Sequence, residues 1–140
     1  MMEKVANILL VEDDQLDTID IKRSLEKLKI LYHLHEAKNG EEAIEVLNSL
    51  EKDGQGQLPD VILIDINMPR MNGLELLQAI RSSEKWKHLK CFMITTSTEK
   101  VDKVKAQELG VSGYIVKPLK LNSPSSMDSF NLMIDLMNVA

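Results

Sequence analysis

The sequence predicts an α/β chain: five strand–helix units wound into one parallel sheet with helices on both faces. Three observations carry that expectation. Short apolar runs alternate along the chain with longer stretches whose apolar residues recur at helical spacing. The run Val61-Ile62-Leu63-Ile64 shows no polar alternation, the pattern of a strand buried on both faces, as parallel strands are. Finally, successive runs carry chemistry to their C-terminal ends: Glu12-Asp13-Asp14, then Asp65, then Thr95-Thr96-Ser97, then Lys117-Pro118. In an open α/β sheet, ligands and reactions lie outside those ends.

The elements follow in order. Ile8-Leu9-Leu10-Val11 is the first strand, and Leu16, Ile19, Leu25 and Leu28 mark the helix after it. Tyr32 to Ala37 alternates His and Glu with apolar residues, which suits an edge strand, and Asn39-Gly40 then turns the chain. Ala43, Ile44, Val46, Leu47 and Leu50 mark the second helix, and Asp53-Gly54-Gln55-Gly56-Gln57 is a polar loop. The Asp65 strand ends at a loop broken by Pro69, Asn72 and Gly73, and Leu74, Leu77 and Ile80 mark the next helix. Cys91-Phe92-Met93-Ile94 is the fourth strand. A helix from about Glu99 to Leu109 follows, closed by Gly110. Its apolar anchors are few, mainly Val101, Val104 and Leu109, so it is expected to open most easily. Gly113-Tyr114-Ile115-Val116 is the fifth strand, and Ser123-Pro124 opens a last helix, Ser as N-cap and Pro in the first turn. Nothing is left over for a second domain, so residues 1–140 are expected to form one unit without an output domain.

Composition narrows the function. A net charge of −5 argues against direct nucleic-acid binding, which leaves a basic patch. The single cysteine, Cys91, lies in an apolar run, which reads as a core residue in a reducing compartment. No apolar run approaches the roughly 20 residues of a membrane span. Met1-Met2-Glu3-Lys4 lacks the apolar stretch of a signal peptide. The expectation is a cytoplasmic protein with no membrane contact.

Glu12, Asp13 and Asp65 should meet at adjacent strand ends. Singly, each is an ordinary turn acid; together, three carboxylates repel one another and call for a cation. Only oxygen ligands are offered, which suits a hard cation such as Mg2+. Lys117 adds a point charge for a phosphoryl oxygen and Thr95 a hydroxyl donor. Such a set does phosphoryl transfer, in which an Asp carboxylate can be the nucleophile and form an acyl phosphate. His33, His35 and His88 read as solvated surface, Trp86 as packing where its helix ends, and Gly54-Gln55-Gly56 lacks the Gly-Lys-Ser/Thr of a phosphate loop.

Four motifs then carry a resemblance. Ile8 to Asp14 (ILLVEDD), Asp65 to Gly73 (DINMPRMNG), Thr95-Thr96-Ser97 and Ser112 to Pro118 (SGYIVKP) together resemble a response-regulator receiver domain of bacterial two-component signalling. The resemblance spans about Asn7 through the final helix and implies the flavodoxin-like strand order 2-1-3-4-5. It also implies a phosphoacceptor rather than an enzyme. Asp65 would take a phosphoryl group from a sensor histidine kinase. Asp13 would bind Mg2+ directly, Glu12 through water, and the main-chain carbonyl of Asn67 would be the third protein ligand. Thr95 and Lys117 would hold the phosphoryl oxygens, Tyr114 matches the switch aromatic, and Asp14 has no role in the pattern. The signal would leave through a downstream protein partner or a histidine phosphotransfer protein. The long loop before the third strand and Thr95-Thr96-Ser97 resemble stand-alone regulators paired with phytochrome-type kinases.

Rival functions fit less well. A haloacid-dehalogenase-type phosphatase uses Asp-x-Asp, and Asn67 stands where the acid would be. A flavin binder would meet its phosphate with Glu12-Asp13-Asp14, which repels it. In the last helix, Leu132, Leu136 and Val139 form an apolar arc apart from the one around Met127 and Phe130. Two readings of that arc stand: burial under neighbouring helices, or a homodimer contact through the C-terminal helix.

Overall fold

The computed structural model describes residues 5–27, 31–52, 58–68, 70–95 and 100–116. They form β1 (Ala6–Val11), α1 (Gln15–Lys27), β2 (Tyr32–Ala37), α2 (Gly40–Lys52), β3 (Val61–Asp65), α3 (Gly73–Ser82), β4 (Lys90–Thr95), α4 (Lys100–Glu108) and β5 (Gly113–Val116). The strands make one five-stranded sheet in the order β2-β1-β3-β4-β5, every pair parallel. This is the predicted doubly wound sheet. The final helix and its Leu132, Leu136 and Val139 lie outside the described residues, as do Lys117 and Pro118.

Strand residues alternate between two cores. Leu9, Val11, Ile62, Ile64, Cys91 and Met93 face Ala43 and Leu47 of α2, Leu76, Leu77 and Ile80 of α3, and Ala106 of α4. Ile8, Leu10, Leu63, Phe92, Ile94 and Ile115 face Ile21 and Leu25 of α1. β3 is buried at every residue, as its unbroken apolar run predicts. Each large aliphatic side chain removed from water this completely contributes about 1.5–3 kcal/mol.

The face of α1 corrects the sequence expectation. Leu16 and Ile19, expected to mark its buried stripe, are 73% and 38% exposed. The buried stripe runs through Ile21, Ser24 and Leu25. At about 100° per residue, Leu16 lies roughly 140° from Ile21 around the helix, so the two cannot share one face. Leu28 lies outside the described residues.

Other expectations hold. Cys91 is fully buried, and that burial pushes its thiol up to about 11, so it is inert. Trp86 is 7% exposed beyond the end of α3, its indole N–H donating to Glu51 Oε1. Gly110 takes a φ of 79° after α4, with Val111 N donating to Ala106 O and Gly110 N to Gln107 O, both at 3.0 Å. That pair of bonds is a Schellman closure. His33 and His88 are exposed. His35 departs from the expected solvated surface: it is half-buried, its ring centroid 4.9 Å from that of His33, and burial first, then the His33 charge, hold its pKa below the usual value. Among the described residues, no helix is long and apolar enough to cross a membrane.

Candidate functional site

The register of β1 on β3 builds the site. Val11 pairs with Ile64, so the next residues, Glu12 and Asp65, leave adjacent strand ends together. Glu12 is 4% and Asp65 5% exposed, while Asp13 is exposed at the rim. One carboxylate oxygen from each of Glu12, Asp13 and Asp65 lies within 4.8 Å of the other two. The three acids expected to meet are thus brought together. Two are nearly dry, where mutual repulsion is least screened. An all-oxygen set of this charge fits a hard divalent cation such as Mg2+ and does not fit a thiolate- or imidazole-seeking metal. A cleft of about 320 Å3 opens beside Glu12 and Asp13 on the β2 side, toward Thr18, Glu36 and Lys38.

Local bonds orient the acids. Glu12 Oε1 accepts from the N–H of Asp14 at 3.1 Å. Asp65 Oδ1 accepts, more loosely, from the N–H of Asn67 at 3.4 Å. Behind Asp65 the loop folds back, and Gly73 N donates to Ile66 O at 3.0 Å. A Cβ on Gly73 would fall 2.2 Å from the main-chain oxygen of Asp65, so only glycine lets α3 start this close to the acid.

Two residues carry roles that the sequence expectation missed. Asp14 is the N-cap of α1: its Oδ1 accepts from Leu16 N at 2.8 Å and Asp17 N at 3.1 Å. Asp14 therefore seats the helix that follows the acid pair. Asn72 caps α3 in a capping box with Glu75, each side chain accepting from the other's main-chain N–H. The spacing Asn72-x-x-Glu75 is the signal that could have found it.

The remaining expected residues are placed only in part. Thr95 ends β4, one position beyond the Ile94 that pairs with Asp65, and is itself paired with Val116. Its side chain lies outside the described residues, and so does Lys117, the residue after Val116. Asn67 is exposed beside Asp65. Tyr114 is half-buried, with Lys103 Nζ 5.4 Å from its ring centroid.

Comparison with known proteins agrees with this geometry. Residues 8–124 match the model of the response regulator receiver domain. The chain is 35% identical over 111 residues to the sensor histidine kinase CheAY of Helicobacter pylori, covering 79% of this chain but only 13% of that protein. It is 36% identical over 111 residues to the chemotaxis protein CheY of Pseudomonas aeruginosa, covering 79% of this chain and 83% of the relative. The solved bacteriophytochrome response regulator AtBRR superposes with a TM-score of 0.79 at 32% identity, over 98% of this chain and 95% of that one.

Proposed function

The chain belongs to the response regulator receiver family, and from that premise we propose that Asp65 is its phosphoacceptor, charged by a sensor histidine kinase. The observation that carries this is the meeting of Glu12, Asp13 and Asp65 oxygens within 4.8 Å at the ends of β1 and β3. A carboxylate oxygen of Asp65 attacks the phosphorus of a phosphohistidine. The new O–P bond forms as the N–P bond breaks, and the imidazole leaves with the electron pair. Asp13 and Asp65 would ligate Mg2+ directly, Glu12 would hold its water, and the carbonyl of Asn67 would complete the protein ligands. The ion supplies neutralisation of charge developing on the phosphoryl oxygens. Thr95 and Lys117 would donate to those oxygens from the neighbouring strand ends. Asp65 is nearly shielded from bulk water, and Asn67 stands where an Asp-x-Asp phosphatase carries its general acid, which disfavours rapid enzymatic turnover of the acyl phosphate.

The output is a change in protein binding, read by a downstream partner. The likeness to AtBRR supports a kinase of the bacteriophytochrome type as the donor. The test is incubation with a small phosphodonor and Mg2+, followed by intact mass. The wild type should gain one phosphoryl group and Asp65→Asn none; phosphorylation of that variant at another residue would overturn the assignment. Mg2+ should also raise thermal stability, by about 2.7 kcal/mol at 100 times its Kd. Asp13→Ala should abolish that shift, and an undiminished shift would remove Asp13 from the ligand set.

A further inference from the structure

We propose that Gly40 and Met71 form a positioning contact that sets the loop carrying Asn67 against the metal site, so that the N-terminal end of α2 governs Mg2+ binding beside Asp65. This rests on the function proposed above and assigns a further role within it.

The loop from Ile66 to Asn72 is fixed at both ends by its own chain. Ile66 and Met68 are buried in the core, and Gly73 N bonds back to Ile66 O. Asn72 is locked by its capping box. Between them, Arg70 has a φ of 64°, a left-handed backbone that costs a non-glycine residue about 1–2 kcal/mol. Contacts from outside the loop, at Met71 and at Arg70 itself, add to what its own chain supplies to hold that conformation.

The first two residues of α2 supply the hold. Gly40 N donates to Met71 O at 3.3 Å. Arg70 Nη1 lies 3.5 Å from Glu41 Oε2, an exposed pair of little energetic weight. The steric contact is the stronger term. A Cβ at Gly40 would stand 2.6 Å from Met71 Cγ and 2.8 Å from both its Cβ and Sδ. Met71 therefore fills the space that any other residue at position 40 would need. Because Met71 Cβ is fixed by its own backbone, no change of rotamer relieves the overlap; the loop must move.

The wall behind Gly40 does not yield easily. Asn39 is 9% exposed and caps α2, its Oδ1 accepting from Glu42 N at 2.9 Å. Ala43 and Leu47, one and two turns on, are fully buried. A displaced Met71 therefore disturbs the segment between Asn67 and the cap residue Asn72. Mg2+ demands near-ideal octahedral geometry, so a ligand carried on a displaced loop loses affinity where a more tolerant cation would not.

The experiment titrates Mg2+ by calorimetry into wild type, Gly40→Ala, Met71→Ala and the double variant. Asp65→Asn serves as the separate control for the phosphoacceptor assignment. Gly40→Ala should raise the Mg2+ Kd about tenfold or more, the size of effect seen when outer partners of metal ligands are changed. Met71→Ala should raise it by a smaller factor. In the Met71→Ala background the Gly40→Ala change should cost less, because the overlaps with Met71 Cγ and Sδ are gone and only the one with Cβ remains. An equal loss in both backgrounds, or an unchanged Kd in Gly40→Ala, would overturn the proposal while leaving Asp65 as phosphoacceptor untouched. Should Gly40→Ala fail to fold, Met71→Ala decides: an unchanged Kd there overturns the contact's role, and a raised Kd with an unchanged melt supports it. A loss of Mg2+ binding that simply follows a fall in melting temperature across all variants would also overturn it.

Discussion

Helices α3 and α4 lie on the same face of the sheet and are held there in different ways. α3 buries Gly73, Leu76, Leu77 and Ile80 and begins with a complete capping box. α4 buries Ala106, while Lys103, Val104, Lys105, Gln107 and Glu108 are exposed. Among the described residues, its hydrogen-bonded fixings gather at its C-terminal end, beside the half-buried Leu109. Besides the Schellman closure, Arg81 of α3 donates through Nε and Nη2 to Gly110 O at 3.2 and 2.8 Å. The same guanidinium bonds Lys87 O at 3.1 Å and Leu89 O at 2.7 Å, so one side chain ties the end of α4 to the approach of β4. Toward β5, α4 offers the Lys103 ammonium over the half-buried Tyr114 ring. The difference teaches that two helices of similar length in one layer need not share a stability. A helix anchored by core leucines reports global unfolding, and one anchored by a clamp at its end can open alone.

The sharpest test of the contrast is truncation. Leu76→Ala should destabilise by about 2–5 kcal/mol, because it leaves a cavity in a dry core. Urea denaturation measures this, and a loss as small as that of a surface change would break the comparison. Next in size is Arg81→Ala, which removes four charge-assisted hydrogen bonds to the carbonyls of Gly110, Lys87 and Leu89, only the last of them partly shielded from water, at a cost of about 1–3 kcal/mol. Arg81→Lys should recover little, since an ammonium cannot span the fork. Hydrogen exchange should then quicken at the C-terminal turn of α4 and not in α3. In the wild type, α4 amides should already exchange roughly tenfold faster than those of α3; equal rates would contradict the comparison. Asn72→Ala removes the cap of α3 for about 1 kcal/mol. Smallest is Val104→Ala, expected within about 0.5 kcal/mol because the side chain is 42% exposed.

What could be read in the amino-acid sequence divides by range. β3 and β4 were legible because a strand buried on both faces needs no partner to be recognised; its apolar run suffices. The acid cluster was legible because topology alone brings the ends of β1 and β3 together. The face of α1 was legible only in part: Leu25 was marked and is buried, but Leu16 and Ile19 mimic a buried stripe and only the sheet decides between them and Ile21. Asp14 was passed over because a cap and a solvated acid look alike until the helix start is fixed. The meeting of Gly40 with Met71 joins positions far apart along the chain and leaves no local pattern. Thr95 reaches the expected strand end, while the placing of its hydroxyl, Lys117 and the last helix lies outside the described residues.

Trp86 gives the α2 contact an optical consequence. It is the only tryptophan of the chain, and its indole N–H is bonded to Glu51 near the C-terminal end of α2. Gly40 stands at the other end of that helix, about 16 Å from Glu51 at 1.5 Å per residue. The chain thus carries its single tryptophan at one end of a rod whose opposite end rests on the loop beside Asp65. A tilt of that rod when the acid corner fills should shift the emission of Trp86, and the protein can be watched without a label.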